Sequence, residues 1–172
     1  MPGLEALVVR QAELMRLAGL ELLRHRLDPG LVAFYAVRAA PDDPEVDAAT
    51  LRRLLATLRP ADTVGRLDDG TLAVLADGLL SAPSVFALNA RILAALREPI
   101  PFDDGQVVEP TISIGLALTG NPLRAPEDML RHARLSRQLA ADSGGNRIEL
   151  ADPEFAGLLD LTGVVRADAR SL

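Results

Sequence analysis

Arg59 and Asp62 are the two side chains in this sequence whose types and spacing best suit ligand binding. They stand three residues apart in Arg59-Pro-Ala-Asp62. A guanidinium takes a phosphate through two parallel charge-assisted hydrogen bonds, and a carboxylate accepts hydrogen bonds from N–H donors. The chemistry of these two side chains is therefore compatible with a ligand that carries a phosphate. The alternative is structural: Arg59 ends a helix, where a cation suits the macrodipole, and Asp62 begins a strand after the Pro60 turn.

A second basic cluster lies later in the chain, at Arg131, His132, Arg134 and Arg137. Residues three apart share one face of a helix, so the arginines of this cluster are predicted to lie side by side. Such a face suits a phosphate or an acidic partner. The more ordinary interpretation is a solvated face paired with local acids.

Few residues of this chain are suited to holding a metal. The sequence has no cysteine and two histidines, His25 and His132, which excludes disulfides and thiolate sites and argues against a zinc centre. Asp42, Asp43 and Glu45 are interpreted as part of a loop, and His25 as a structural residue at a helix end. We expect neither a metal nor a cofactor.

Composition narrows the classes of protein to which the chain can belong. It has 172 residues, 49% hydrophobic and only 3% aromatic, which predicts a core of Leu, Val, Ile and Ala. All 18 basic residues are arginine, and the net charge of −6 argues against nucleic-acid binding through a basic surface. No apolar run is long enough for a membrane span and no secretory pattern is present, so we expect a cytoplasmic protein.

The first half of the chain predicts a helix, a strand, a second helix and a hairpin. Apolar spacing indicates an amphipathic helix over Leu4–Leu27, broken near Gly19. Leu31–Val37 is typical of a strand buried on both faces, and a loop follows over Ala40–Glu45. Asp47 is predicted to cap a helix that runs through Leu58. The strands Thr63–Leu67 and Thr71–Ala76 are then predicted to pair across a two-residue Asp69-Gly70 turn.

The second half predicts a helix from Ser84 to about Leu96, followed by a strand over Val107–Leu118. A helix opened by Ala125-Pro126-Glu127 and closed by Ser143-Gly144-Gly145 comes next, and then a short strand at Arg147–Leu150. Alternating elements of this kind predict an α/β domain over residues 1–150, with helices on the faces of a central mixed sheet of five strands. Residues 151–172 are interpreted as a tail or linker, with a possible docking helix at Leu158, Leu159 and Leu161.

Several stretches resemble the diguanylate cyclase (GGDEF) family, in matching order over roughly residues 1–150. The hairpin resembles the family's signature hairpin and keeps Arg66 before the turn. Thr111-Ile-Ser-Ile-Gly-Leu-Ala is similar to the family's Thr-x-Ser-Ile-Gly-x-Ala strand, and Glu127-Asp-Met-Leu-Arg-His-Ala to the helix that follows. Ser143-Gly-Gly-Asn146 resembles the end of that helix. The resemblance implies a nucleotide cyclase-like GGDEF fold.

The resemblance also implies that this chain has lost the family's catalytic residues. Active members condense two GTP molecules into cyclic di-GMP with metal ions at a dimer interface. The five signature positions here are Asp68, Asp69, Gly70, Thr71 and Leu72. The remaining family positions, a metal-binding Asp on the first strand and two phosphate-binding cations, correspond to Tyr35 or Val37, to Ala141 and to Gly145. Asp68 and Asp69 are interpreted as solvated turn formers. We therefore expect no enzymatic activity.

Arg59 and Asp62 stand at the offset where the family carries its inhibitory Arg-x-x-Asp site, which binds cyclic di-GMP. The resemblance implies a receptor in which Arg59, Asp62 and Arg91 bind this dinucleotide, with the carboxylate accepting from a guanine edge. A second hypothesis is a nucleotide-independent dimerisation or docking module that uses the N-terminal helix and Leu158–Leu161. A third is residual catalysis, or GTP binding without turnover. The expected partners are cyclic di-GMP and either a second copy or a regulatory protein.

Overall fold

The computed structural model describes residues 3–150, which form four α-helices and eight strands. The helices are α1 (Gln11–Arg24), α2 (Pro44–Thr57), α3 (Ala82–Leu96) and α4 (Pro126–Asp142), preceded by a short 3-10 helix at Leu4–Leu7. The strands are β1 (Val9–Arg10), β2 (Leu31–Ala40), β3 (Thr63–Arg66), β4 (Leu72–Leu79), β5 (Ile100–Pro101), β6 (Val107–Val108), β7 (Thr111–Thr119) and β8 (Arg147–Glu149).

A mixed sheet forms the centre of the molecule, in the strand order β1-β3-β4-β2-β7-β8. The outer pairs β1–β3 and β7–β8 are parallel and the inner pairs are antiparallel. The predicted α/β class and its helix-flanked mixed sheet are confirmed. The sheet has six strands where we predicted five, because β1 adds a two-residue edge, and β5 and β6 form a separate two-stranded ribbon.

Both faces of the sheet are covered, as the apolar run of β2 predicted. Val32, Phe34 and Ala36 pack with residues of α1 and α4, whereas Tyr35 and Val37 pack with α2 and α3. Successive strand residues point to opposite faces, so the run 32–37 has to be apolar throughout to bury both sides.

The N-terminal helix is shorter than predicted. We predicted a helix over Leu4–Leu27 with a break near Gly19, but α1 spans Gln11–Arg24 and continues through Gly19. Val9 and Arg10 instead pair in parallel with β3. The apolar spacing misled us because Leu4 and Val8 are partly buried against the core without being part of α1.

Two helices begin earlier than predicted. Asp43 caps α2 in place of Asp47, and its Oδ1 accepts from the backbone N–H of Glu45 at 2.8 Å. Pro44 follows, in the first turn, where a missing N–H costs nothing. The predicted loop therefore ends before Glu45. In α3 the N-cap is Ser81 in place of Ser84, again with a proline in the first turn.

The hairpin is present, but its turn has three residues instead of two. Leu67 N–H donates to the Thr71 carbonyl at 2.8 Å, which leaves residues 68–70 as the connection. Gly70 has φ +84°, and no other residue of the turn has a positive φ. A two-residue Asp-Gly turn of type I′ requires positive φ at both central residues, so Asp69 rules it out.

The sequence predicted one continuous strand over Val107–Leu118, but the structure has two separate strands, β6 and β7, in this region. Residues 109–110 separate β6 from β7, since Pro110 has no N–H to give to a ladder. The last helix and strand follow the prediction closely, and Gly144 and Gly145 adopt positive φ beyond the end of α4. The predicted tail at 151–172, including Leu158–Leu161, lies outside the described residues. Within residues 3–150, no helix has the length and apolar character needed to cross a bilayer.

Candidate functional site

Arg59 and Asp62 lie just after α2 and bind each other. Asp62 Oδ1 accepts from Arg59 Nη2 at 2.6 Å, and Asp62 Oδ2 accepts from Arg59 Nε at 3.1 Å and from its backbone N–H at 2.9 Å. The Asp62 side chain is 0% exposed and the Arg59 side chain 35%. Its hydrogen bonds to Asp62 raise the pKa of the Arg59 guanidinium. The carboxylate is thus enclosed, whereas the Arg59 side chain is partly exposed.

Arg91 joins this pair from α3. Its Nη2 donates to the backbone oxygen of Thr57, the last residue of α2, and its side chain is exposed. Arg59 follows Thr57 by two residues, so both guanidinium groups lie at the C-terminal end of α2. The structure therefore pairs Arg59 with Asp62 and attaches Arg91 to the last residue of α2, although Asp62 does not present its oxygens to solvent.

Asp77 connects the Arg59–Asp62 pair to the end of α1. Its backbone oxygen accepts from Arg59 Nη2 at 2.7 Å. Its carboxylate lies 2.7 Å from His25 Nε2 and forms a hydrogen bond with Arg24. Asp77 and His25 are both buried. Sequence reasoning missed Asp77, because an acid near the end of an apolar strand carries no local signal of distant partners.

Tyr35 lies in the buried layer behind Asp62. It is fully buried, and its hydroxyl donates to Asn89 Oδ1 at 2.6 Å. Burial raises the pKa of the Tyr35 phenol, and the negative charge of Asp62 raises it further. Tyr35 is therefore a neutral hydrogen-bond donor.

The five signature positions divide into an exposed turn and a buried strand start. Asp68, Asp69 and Gly70 are exposed, while Thr71 and Leu72 are buried. Asp69 Oδ1 accepts from the Thr71 N–H at 3.0 Å. Burial alone would raise the pKa of Asp69, but hydrogen bonds from Thr71 and the charges of Arg134 and Arg38 outweigh it and lower the pKa.

Arg66 anchors this turn to the rest of the molecule. Its Nη1 and Nη2 donate to the two carboxylate oxygens of Asp47 at 3.1 and 3.0 Å, and Nη1 also donates to the Gly70 carbonyl at 3.2 Å. Asp47, predicted as a helix cap, is thus a partner of Arg66. Gln11, at the start of α1, also contacts the turn, because its Oε1 accepts from the Asp68 N–H at 3.0 Å.

The basic cluster of α4 is not one continuous surface. Arg131 pairs with Asp128 at 2.6 Å, and His132 Nδ1 lies 2.6 Å from Arg124 Nη2. Arg134 Nη2 lies 3.9 Å from Asp69 Oδ2, so this arginine belongs to the signature turn. Over the described residues, no group of three or more His, Cys, Asp or Glu side chains is placed to hold a metal ion.

Comparison with known proteins finds relatives in sequence and in fold. No protein-family model matches the chain. A curated relative, diguanylate cyclase TpbB of Pseudomonas aeruginosa, is 32% identical over 106 residues. The match covers 60% of this chain and 24% of TpbB, so the chain spans about a quarter of that protein. The TpbB structure that comprises only its GGDEF domain aligns with a TM-score of 0.73 at 20% identity, over 82% of this chain and 88% of that one. The chain is therefore similar in sequence to a diguanylate cyclase and has the fold of a GGDEF domain.

A second solved structure has the same fold. It is a microbial GGDEF domain described in a new mode of interaction with cyclic di-GMP, and it aligns with a TM-score of 0.62 at 16% identity, over 84% of this chain and 94% of that one. In the present structure the Thr111-Ile-Ser-Ile-Gly stretch forms the start of β7, directly beneath α4.

Proposed function

We propose that this GGDEF domain makes no cyclic di-GMP and instead binds it as a regulatory receptor. The observation that carries the first part is the composition of the signature turn and its surroundings. The resemblance implies acids at the third and fourth signature positions, but these are Gly70 and Thr71. Asp69 is an acid that remains in the turn, and the positive charges of Arg134 and Arg38 lower the pKa of its carboxyl.

The acids that remain near the turn are poorly suited to a divalent cation. Mg²⁺ in a phosphoryl-transfer site needs oxygen ligands in near-octahedral geometry. Asp69 uses Oδ1 to accept from Thr71, and its Oδ2 faces Arg134. On β2, Tyr35 is a buried phenol committed to Asn89, and Val37 is apolar. These residues offer no pair of free carboxylates that would bring a metal to a triphosphate.

The receptor part of the proposal rests on Arg59 and Arg91. Asp62 fixes Arg59 through two side-chain hydrogen bonds, so the exposed edge of the guanidinium is already oriented. Asp62 is then a positioning residue and not a direct acceptor from guanine. Each arginine–phosphate contact contributes about 1.5–3 kcal/mol. Two such contacts with stacking of a guanine base reach roughly −8 kcal/mol, which corresponds to micromolar affinity.

Isothermal titration with cyclic di-GMP tests this proposal. The wild-type domain is expected to bind with a Kd on the order of micromolar. Arg91→Ala should weaken binding about tenfold or more, because it removes a phosphate contact and otherwise only a hydrogen bond to Thr57. Arg59→Ala should weaken it further, and its thermal melt must be recorded because this change strips Asp62 of its partner.

Arg53→Ala is the matched control for Arg91→Ala. Arg53 also donates to backbone oxygens, those of Glu98 and Pro99, but it is not part of the Arg59 site. Its loss should leave the affinity for cyclic di-GMP unchanged. Equal losses in the two variants, or no heat from the wild type at about 50 μM dinucleotide, would refute the receptor function.

One observation favours the second candidate, a nucleotide-independent interaction module. The Arg59–Asp62 pair satisfies itself without a ligand, and Asp77 accepts a further hydrogen bond from Arg59. Leu20, Leu23 and Leu27, at and beyond the end of α1, are exposed and offer an apolar contact surface. If this candidate is correct, titration with cyclic di-GMP produces no heat of binding. Leucine-to-serine changes at these positions then alter the oligomeric state or partner binding.

A further inference from the structure

Arg38, Arg134 and Arg137 lie around the signature turn, away from the Arg59 site. Arg38 of β2 pairs with Ser113 of β7, and directly paired strand residues point to the same side of a sheet. Gly115, two residues beyond Ser113 and therefore on the same face, lies directly beneath Arg137. The register thus places Arg38 on the face covered by α4.

The signature turn, residues 68–70, also contacts this group of arginines. Arg134 Nη2 lies 3.9 Å from Asp69 Oδ2 and donates to Gln11 Oε1 at 3.2 Å. Gln11 Oε1 also accepts from the Asp68 N–H, which fixes the turn against α1 and α4. Arg38 on β2 and the pair Arg134 and Arg137 on α4 are therefore held in a defined arrangement.

Much of the hydrogen-bonding capacity of these arginine side chains is unused, although Arg137 Nη2 donates to Gln138 Oε1 at 3.2 Å. The Arg38 side chain is exposed and has no hydrogen bond or ion pair with any residue in the range 3–150. The Nε atoms of Arg134 and Arg137 are buried and have no partner within the same range. Buried donors are normally satisfied, so two unpartnered Nε atoms side by side require an explanation.

The local charge is also unbalanced. The carboxylates that act on the Arg137 guanidinium are those of Asp69 and Asp142, and Asp142 accepts from Gln138 at 2.8 Å. Burial lowers the pKa of the Arg137 guanidinium, and repulsion from Arg38 and Arg134 adds to this effect. Although the protein as a whole has a net charge of −6, the positive potential of this local cluster attracts anions.

We propose that Arg38, Arg134 and Arg137 form a metal-independent binding site for the phosphoryl group of a small molecule. Guanidinium groups from β2 and α4 converge on a tetrahedral oxyanion, and the exposed Arg38 side chain supplies donors that no described residue occupies. Neither Arg59 nor Arg91 takes part, so the site does not depend on cyclic di-GMP binding.

Titration of the wild-type domain with pyrophosphate in excess EDTA tests the site, with the arginine Nε–H signals followed by NMR. We expect saturable shifts of the Arg134 and Arg137 signals, and a loss of affinity of about tenfold in Arg38→Gln. Asp69→Asn should bind more tightly, because it removes a repelling charge while its amide oxygen still accepts from Thr71. Inorganic phosphate and AMP, titrated in parallel, distinguish a free anion from a nucleotide phosphoryl group.

Arg131→Gln is the matched control, because Arg131 lies on the same helix but pairs with Asp128. It should leave pyrophosphate binding unchanged, as should Arg91→Ala, whereas Arg38→Gln should leave any cyclic di-GMP binding intact. The proposal is overturned if about 10 mM pyrophosphate produces no shifts without metal, or if Arg131→Gln loses as much affinity as Arg38→Gln.

Discussion

A Gly115→Ala variant is expected to melt about 10 °C below the wild-type domain. A Cβ at this position would lie 1.9 Å from the Ala133 carbonyl oxygen and 2.2 Å from the Arg137 nitrogen. Both are backbone atoms of α4, so no side-chain rotation relieves the clash and the helix itself has to move off β7. Overpacking of this kind costs about 3 kcal/mol or more. Differential scanning calorimetry measures the loss.

Gly19→Ala is the matched control for this prediction. Gly19 lies within α1, and an added Cβ would meet only Pro126 Cγ, at an ordinary 3.7 Å. Alanine at an interior helix position is expected to stabilise the domain by about 0.5–1 kcal/mol. If Gly115→Ala melted as high as Gly19→Ala, the close approach of α4 to β7 would be wrong.

Removal of the Asp77 carboxylate is expected to have the second-largest effect on stability. Asp77→Ala leaves His25 Nε2 buried without its partner, next to an Nδ1 that already has none within the described chain. It also removes the hydrogen bond with Arg24. Loss of one partner from a buried polar cluster costs about 3 kcal/mol. Urea unfolding of the variant and the wild type gives the difference in the free energy of unfolding.

Asp77→Asn separates the charge of this side chain from its hydrogen bonding. The amide oxygen can still accept a hydrogen bond from Arg24 or His25, so we expect a loss of about 1 kcal/mol. A His25→Ala, Asp77→Ala double-mutant cycle then measures their interaction energy. Equal stability of Asp77→Ala and the wild type would show that the cluster does not support the fold.

The parts of the fold that could be predicted from sequence are those set by local patterns. The apolar run of β2, the hairpin and the double glycine after α4 each have a short-range physical cause. The strand β1 could not be predicted, because Val9 and Arg10 become a strand only through pairing with β3. The helix caps were misplaced because Asp43 and Asp47 are equally good cap residues by type, and Pro44 was the signal that favours Asp43.

The candidate binding sites could likewise be predicted from sequence only where their residues are close in the chain. Sequence spacing singled out Arg59 and Asp62, which are close in the chain and form an ion pair, whereas a binding site that also includes Arg91 stays a prediction. It did not predict that Asp62 would be buried, which depends on where the Arg59 side chain folds back. Arg38 was missed because its neighbours on α4 are about a hundred residues away, and a charged residue directly after an apolar run was the available signal.

Incubation of the purified domain with GTP and Mg²⁺, followed by chromatography of the nucleotides, tests most directly whether this GGDEF domain has lost its cyclase chemistry. Diguanylate cyclase TpbB of Pseudomonas aeruginosa serves as the positive control. The account predicts no cyclic di-GMP above the protein-free blank, because Gly70 and Thr71 stand where acids would hold the metal and arginines surround Asp69. Formation of cyclic di-GMP in proportion to the amount of domain added would contradict it.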